Sequence, residues 1–184
     1  LSAEWMGEPR KRIEEALPGT RAVFLQGCGA DQNPYRKERT MEQMRKHGET
    51  VAQAVIGIRD WRYVEMEPLR YKSVEMKLPT VDGETSPCPL HGFRLGECVL
   101  MGLGGEAFVE YALYARHLVP SPSTIMMLGY CDGSVGYLPT AVAYKEGGYE
   151  TESFRMFSIG KSWTPEIEQT IKDHVFEIFQ NLNS

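Results

Sequence analysis

The sequence predicts an α/β fold in which helices pack over one mixed sheet. Helix-like and strand-like segments alternate along the chain, which is typical of that class. Short apolar segments bounded by glycine or proline indicate strands, and apolar residues three or four positions apart indicate helices. The chain has 184 residues, of which 42% are hydrophobic and 24% charged. This is enough for one core and too little for two, so we expect a single domain over residues 1–184.

Four segments have helical spacing. The first begins at Ser2, which can cap a helix, and ends at Leu17, where Pro18-Gly19 stops it. Thr40 precedes a second helix, and residues 106–119 form a third. The second helix has an apolar stripe made of Met41, Met44, Val51, Val55 and Ile58. The final helix has the most regular apolar face, made of Ile167, Ile171, Val175, Ile178, Phe179 and Leu182.

The strands are predicted from short apolar or alternating segments. These are residues 21–26, 63–67, 71–78, 93–103, 123–130 and 154–159. Residues 79–89 contain three prolines and Gly83. Proline cannot donate a main-chain hydrogen bond to a neighbouring strand, so we expect a surface loop there.

Composition excludes several classes of protein. A net charge of −5 and a pI near 5.5 argue against a nucleic-acid partner, because phosphates require a basic surface. No apolar run approaches the roughly 20 residues that a transmembrane helix needs. The four cysteines form no C-x-x-C pair, so a zinc knuckle is not expected. Buried thiols and disulfides both stay possible, since four cysteines allow three full pairings.

Three predicted strand ends have residues suited to a site. They are GCGADQNP at 27–34, GLGGE at 102–106, and the tyrosine- and glycine-rich segment 129–150. In α/β sheets, ligands bind where strands end. Each segment also has an ordinary structural interpretation: an Asx turn, a glutamate opening a helix, and an aromatic surface loop.

At these three places together the chain resembles the neutral/alkaline ceramidase family, whose members are zinc amidases that hydrolyse the N-acyl bond of ceramide. The resemblance is carried by FLQGCGADQNP, GLGGEAFVEY and GYCDGSVGYLPTAVAYKEGGYE, in the family's order. It implies that the fold is part of a larger ceramidase-like catalytic domain. The sequence begins at Leu1 with helical spacing and no initiator methionine, and we therefore expect a piece of a longer protein.

The resemblance implies roles for individual residues. The family's zinc is held by two histidines, a glutamate and a tyrosine. Glu106 matches the glutamate, and Tyr137 in GYLPT matches the tyrosine. Tyr149 in GGYE matches a catalytic tyrosine that assists at the scissile amide. Gly29 and Asp31 are candidates for substrate binding.

Two features depart from the family's pattern. None of the chain's four histidines occupies a ligand position, since both family histidines lie upstream of the matching segment. Asn33 stands where the family has its serine nucleophile. An amide side chain cannot form an acyl intermediate, although it can orient water or a carbonyl. Hydrolysis would then require water activated by zinc.

The resemblance leaves open whether the chain is an enzyme. The first hypothesis is part of a zinc-dependent hydrolase acting on an amide or lipid-like substrate, with zinc bound in the longer protein and this piece alone metal-free and inactive. The alternative is a non-catalytic module that binds lipid or carbohydrate. The family resemblance implies a secreted or periplasmic location. We also expect an exposed apolar face and self-association, because a truncated domain leaves surface uncovered.

Overall fold

The computed structural model describes residues 4–33, 40–65, 67–119, 124–152 and 162–184. These residues fall into two compact units. Unit 1 consists of the described residues within 1–25 and 34–63, and unit 2 of residues 26–33 together with those from 64 to 184. The prediction of a single domain stays a prediction.

Unit 1 is a pair of helices, α1 (Glu4–Ala16) and α2 (Met41–Ile56). The hydroxyl of Thr40 accepts a hydrogen bond from the backbone N–H of Gln43 at 3.2 Å, which confirms the predicted cap. The two helices approach closely at Gly48, where an added Cβ would lie 2.9 Å from Cδ of Pro9. A side chain at this position would therefore force the helices apart.

The predicted apolar stripe of α2 is wrong as a core face. Met41, Val51 and Ile58 are exposed, whereas the buried residues of α2 are Gly48 and Ala52. Close approach of the helix backbones has selected the face with small residues instead of the face with large apolar ones.

Unit 2 contains a sheet of four strands, a pair of very short strands and four described helices. The elements are β1 (Leu69–Pro79), β2 (Thr85–Leu95), β3 (Cys98–Leu103), β4 (Glu106–Ala107), α3 (Val109–Arg116), β5 (Thr124–Leu128), β6 (Tyr137–Leu138), α4 (Ala141–Glu146), α5 (Tyr149–Glu152) and α6 (Ile167–Asn183). The larger sheet has the order β1-β2-β3-β5, with β1–β2 and β2–β3 antiparallel and β3–β5 parallel. The sheet is mixed and carries helices, so the predicted fold class is confirmed.

One face of the sheet, which we call the covered face, packs against α6. At Gly92 an added Cβ would lie 2.9 Å from Cδ1 of Leu182, so the helix lies directly on β2. The predicted apolar residues of α6 are buried, apart from the partly buried Phe179. They meet buried side chains that alternate along the strands, including Met76, Leu78, Leu90, Val99, Met101, Leu103, Ile125 and Met127.

The opposite face, which we call the open face, exposes large apolar side chains. Leu69, Tyr71, Phe93 and Met126 are 65%, 49%, 40% and 42% exposed. The rings of Tyr71 and Phe93 lie 4.7 Å apart between centroids. The sheet therefore presents an aromatic and aliphatic surface on the side away from α6.

Several predicted strands differ from the observed ones. Residues 79–89, predicted as a loop, include the first half of β2, and the predicted strand 93–103 is a hairpin that turns at Gly96 with φ of 55°. Prolines fit in β2 because β3 pairs only with its residues from Leu90 onward. Residues 21–26 form no strand, nor do the described residues of 63–67.

Other predictions have mixed outcomes. Strand 123–130 is confirmed as β5, and strand 154–159 lies outside the described residues. All four cysteines are free thiols, with Cys28 and Cys88 buried. None of the described helices has the length and apolar character needed to cross a bilayer.

Candidate functional site

Glu106 and Tyr137 are paired across two short parallel strands. They are direct register partners in the β4–β6 pair. The backbone N–H of Glu106 donates to the carbonyl of Gly136 at 2.8 Å. Glu106 was predicted to open a helix, and this is wrong, because its backbone bonds to β6 and α3 begins only at Val109. The second and third glycine-rich segments, residues 102–106 and 129–150, thus meet at this strand pair.

The position of β6 is fixed by side chains from distant parts of the chain. The indole N–H of Trp163 donates to the carbonyl of Tyr137 at 2.9 Å. The buried hydroxyl of Tyr111 donates to the carbonyl of Pro139 at 3.0 Å. Two directed hydrogen bonds therefore hold a strand that is too short to be stable by its ladder alone.

The structure brings three of the predicted site residues together. Glu106 and Tyr137 stand side by side in register, close enough for the charge of the carboxylate to act on the Tyr137 phenol. The ring of Tyr149 meets the ring of Tyr137 edge to face, with centroids 5.7 Å apart and planes at 78°. Tyr149 is 46% exposed, so its phenol is accessible to a ligand. The role of each residue stays a prediction.

The electrostatics of this cluster keep the Tyr137 phenol protonated. Burial, followed by the negative charge of Glu106, raises the pKa of Tyr137 to about 12. The charge of Glu150 acts in the same direction. At neutral pH the Tyr137 hydroxyl is therefore a hydrogen-bond donor, and the cluster carries a negative potential that favours a cation.

The loop of residues 27–33 supports this region from the side. Asp31 accepts a hydrogen bond from the backbone N–H of Val109 at 2.9 Å, so it caps the start of α3. The N–H of Ala30 donates to the carbonyl of Ala107 at 3.1 Å, which ties the loop to β4. Gly29 is half-buried in this loop, and Asn33 is exposed at its end. A substrate role for Gly29, Asp31 or Asn33 stays a prediction.

Two features of this region were not predicted. Tyr130 lies near Glu106, and burial together with the charge of that carboxylate raises the pKa of its phenol. On the open face, His91 contacts the Tyr71 hydroxyl through Nδ1 at 2.9 Å and the Asp132 carboxylate through Nε2 at 3.2 Å. The tyrosine-rich composition of residues 129–150 indicated the first of these in general terms. The second joins residues 20 and 41 positions apart, and local spacing carries no signal for it.

The donor set fits one side of a zinc site and is incomplete. Glu106 and Tyr137 offer a carboxylate and a phenol oxygen, and zinc accepts oxygen ligands. A catalytic zinc usually takes three ligands from the protein. Within the described ranges, no group of three or more histidine, cysteine, aspartate or glutamate side chains is placed to hold a metal.

Comparison with known proteins identifies the fold. The sequence matches no protein-family model and no curated protein sequence. The structure is similar to the crystal structure of neutral ceramidase from Pseudomonas aeruginosa, with a TM-score of 0.71 and 14% identity over 97% of this chain. It is also similar to a ceramidase complexed with C2, with a TM-score of 0.75 and 13% identity over 100% of this chain.

The matches cover 40% and 42% of those two ceramidase chains. This chain thus spans about two-fifths of the solved structures that it resembles, and at such low identity the likeness shows the fold alone. The resemblance derived from the three glycine-rich segments is confirmed at that level: the chain has the fold of part of a ceramidase.

Proposed function

We propose that this chain supplies the Glu106–Tyr137 side of a zinc-dependent site that hydrolyses an N-acyl amide bond. The observation that carries the proposal is the register pairing of Glu106 with Tyr137. The ring of Tyr149 packs against the ring of Tyr137 beside this pair. The ceramidase fold supports the choice of an amide or lipid-like substrate. Further ligands would have to come from outside the described residues.

Each residue has a distinct part in the proposal. Glu106 and Tyr137 would hold the metal, which supplies Lewis-acid polarisation when it is bound. Tyr149, with its accessible phenol, would donate a hydrogen bond to the carbonyl oxygen of the amide as negative charge develops there. Asn33 would orient substrate or water, because an amide side chain cannot be an acyl-forming nucleophile. Gly29 and Asp31 would shape the loop beside the substrate.

The proposal is tested by zinc analysis and amide hydrolysis on the complete gene product that contains these 184 residues. We expect about one zinc per chain and cleavage of a short-chain fluorescent ceramide, and we expect Glu106→Gln to remove both. Glu110→Gln is the matched control, since Glu110 is an exposed carboxylate on α3. Full zinc content in Glu106→Gln would contradict the assignment.

The two functional hypotheses give different results in the same experiment. The absence of zinc and of hydrolysis, together with retained lipid binding, would favour the non-catalytic binding module. The replacement of the family's serine by Asn33 is an argument for that second hypothesis. For the isolated 184-residue chain we expect neither stoichiometric zinc nor hydrolysis, because two ligands are too few for a durable site.

Self-association through the open face is a further part of the proposal. The exposed side chains of Leu69, Phe93 and Met126 form an apolar surface of the kind that binds partners. Light scattering of the isolated chain should show a mass that rises with concentration, and Phe93→Glu should reduce it. A concentration-independent monomer would contradict this part without affecting the site.

A further inference from the structure

Three side chains on the open face form a continuous chain of hydrogen bonds. The Tyr71 hydroxyl lies 2.9 Å from Nδ1 of His91, and Nε2 of the same imidazole lies 3.2 Å from the Asp132 carboxylate. Tyr71 and His91 belong to the neighbouring strands β1 and β2, and Asp132 belongs to the turn after β5. A nucleophile bonded to a base that a third group orients is the arrangement that covalent catalysis uses.

The two contacts of His91 assign its tautomer. A carboxylate only accepts hydrogen bonds, so Nε2, which faces Asp132, carries the hydrogen of the neutral imidazole. Nδ1 is then the acceptor, and the Tyr71 hydroxyl donates to it. His91 is therefore placed to take the phenol proton as a general base, and Asp132 lies where its charge stabilises the imidazolium that forms.

The turn that carries Asp132 is anchored on β3. Asp132 has φ of 58°, a left-handed conformation that aspartate adopts more readily than most residues. The N–H of Cys131, directly before it, donates to the carbonyl of Leu103 at 2.9 Å. The side chain of Cys131 lies over Gly102, where an added Cβ would come within 2.7 Å of its Sγ. These contacts fix the turn beside β2, within reach of His91.

The phenol of Tyr71 is accessible, and an apolar ring lies beside it. Tyr71 is 49% exposed, whereas the side chain of His91 is only 21% exposed. The base is thus more shielded from water than the nucleophile. The ring of Phe93, which is also exposed, lies 4.7 Å from the ring of Tyr71 between centroids. A small electrophile can therefore reach the Tyr71 oxygen while its apolar part rests on Phe93.

We propose that Tyr71 is a nucleophile that takes an acyl group from an activated ester, with His91 as its general base and Asp132 as a positioning residue. In this step the Tyr71 oxygen bonds to the carbonyl carbon as its proton passes to Nδ1 of His91. The bond from that carbon to the leaving-group oxygen breaks, and the proton on His91 then goes to the departing group. A leaving group more acidic than a phenol makes the transfer favourable, so aryl esters with electron-withdrawing rings are the matching class.

The test is acetylation of the chain by p-nitrophenyl acetate, mapped to single residues by mass spectrometry at a concentration where light scattering shows a monomer. Because a general base contributes roughly 10²–10⁴-fold, Tyr71 should be acetylated at least about tenfold faster than Tyr63, although Tyr63 is 88% exposed. His91→Gln keeps a polar side chain without the base and should lower the Tyr71 rate at least about tenfold. His117→Gln, at an exposed histidine after α3, is the matched control and should leave that rate unchanged.

The positioning role of Asp132 has its own spectroscopic readout. Nitrogen NMR of the labelled His91 imidazole should show the tautomer protonated at Nε2 in the unmodified chain and a mixture in Asp132→Gly, since glycine adopts the left-handed conformation freely.

Equal acetylation rates for Tyr71 and Tyr63, or a Tyr71 rate that His91→Gln leaves unchanged, would overturn the proposal. An unchanged tautomer in Asp132→Gly would overturn the role of Asp132. The comparison of the two tyrosines needs no variant, so it decides even if a variant does not fold. Neither Glu106 nor zinc takes part in the step, so a failure here is distinct from a failure of the proposed function.

Discussion

Unit 2 contains two regions that are built in different ways. The covered face of the sheet consists of apolar side chains from β1, β2, β3 and α6 that exclude water. The site edge, by which we mean the β4–β6 pair with Tyr130 and Tyr149, consists of directed hydrogen bonds between polar groups and backbone. The first region supplies stability through buried area, and the second supplies geometry. Substitutions should therefore cost stability in the first region and ligand binding in the second.

The largest effect is expected at the centre of the covered face. Ile171 on α6 is fully buried, and Ile171→Ala should lower the free energy of unfolding by about 2–5 kcal/mol because it leaves a cavity. Phe176→Ala is the control on the same helix, since Phe176 is 43% exposed, and it should cost clearly less. Chemical denaturation measures both. Equal costs would mean that α6 does not pack as described.

The covered face should also make the protein sensitive to alkaline pH. Burial raises the pKa of Cys88 to about 12. In the unfolded chain the thiol has a pKa of about 8.5, so above that pH it ionises in the unfolded state while it stays protonated in the folded state. The free energy of unfolding is therefore unaffected below about pH 8.5 and falls as the pH rises toward about 12. At pH 10 the loss relative to neutral pH should be about 2 kcal/mol for this thiol.

Cys88→Ala tests this pH effect by denaturation at several pH values. Its cost relative to the unmodified chain should be constant from pH 6 to about 8 and should shrink above that range, because only the unmodified chain carries the penalty. Burial raises the pKa of Cys28 to about 12 as well, so some alkaline decline should remain. If the difference in unfolding free energy between Cys88→Ala and the unmodified chain stayed constant up to pH 10, the Cys88 thiol would have the same pKa in the folded and unfolded states.

A smaller effect is expected where the site edge is tied to the rest of unit 2. Trp163→Phe removes the indole donor to the Tyr137 carbonyl and should cost about 1 kcal/mol for the lost hydrogen bond. Trp61→Phe is the matched control at a side chain that is 64% exposed. Ring-proton shifts of Tyr137 and Tyr149 should change in the first variant only. Unchanged shifts would mean that Trp163 does not fix β6.

The smallest effect on stability is expected at the site itself. Tyr137→Phe keeps the aromatic ring against Tyr149 and removes only a partly exposed hydroxyl, so the free energy of unfolding should change by no more than about 0.5 kcal/mol. Thermal unfolding at neutral pH measures this change. A loss of several kcal/mol would mean that the hydroxyl is a structural element of the fold.

The same difference between the regions explains what the sequence could predict. The buried face of α6 follows from residues spaced for one helix, and local spacing is enough to find it. The hairpin turn at Gly96 was missed because the apolar run on either side of it reads as one strand. Glu106 was placed in a helix because its neighbours favour one, whereas its actual partners, Gly136 and Tyr137, lie about thirty residues away.

For the candidate site, the sequence predicted which residues meet and not how they are held. Matching three segments to a family was enough to name Glu106, Tyr137 and Tyr149. Trp163, which supports β6, acts through a single hydrogen bond across the fold. Neither periodicity nor composition records such contacts, because each depends on the arrangement of several elements in space.

The most direct measurement of the central claim is the location of zinc in crystals of the complete gene product by anomalous scattering at the zinc edge. We predict a single strong peak about 2.0–2.2 Å from a carboxylate oxygen of Glu106 and at a similar distance from the phenol oxygen of Tyr137. The peak should be absent from crystals of Glu106→Gln and present in those of Glu110→Gln. A zinc peak bound elsewhere, or one that survives in Glu106→Gln, would contradict the assignment of this edge as a metal-binding half-site.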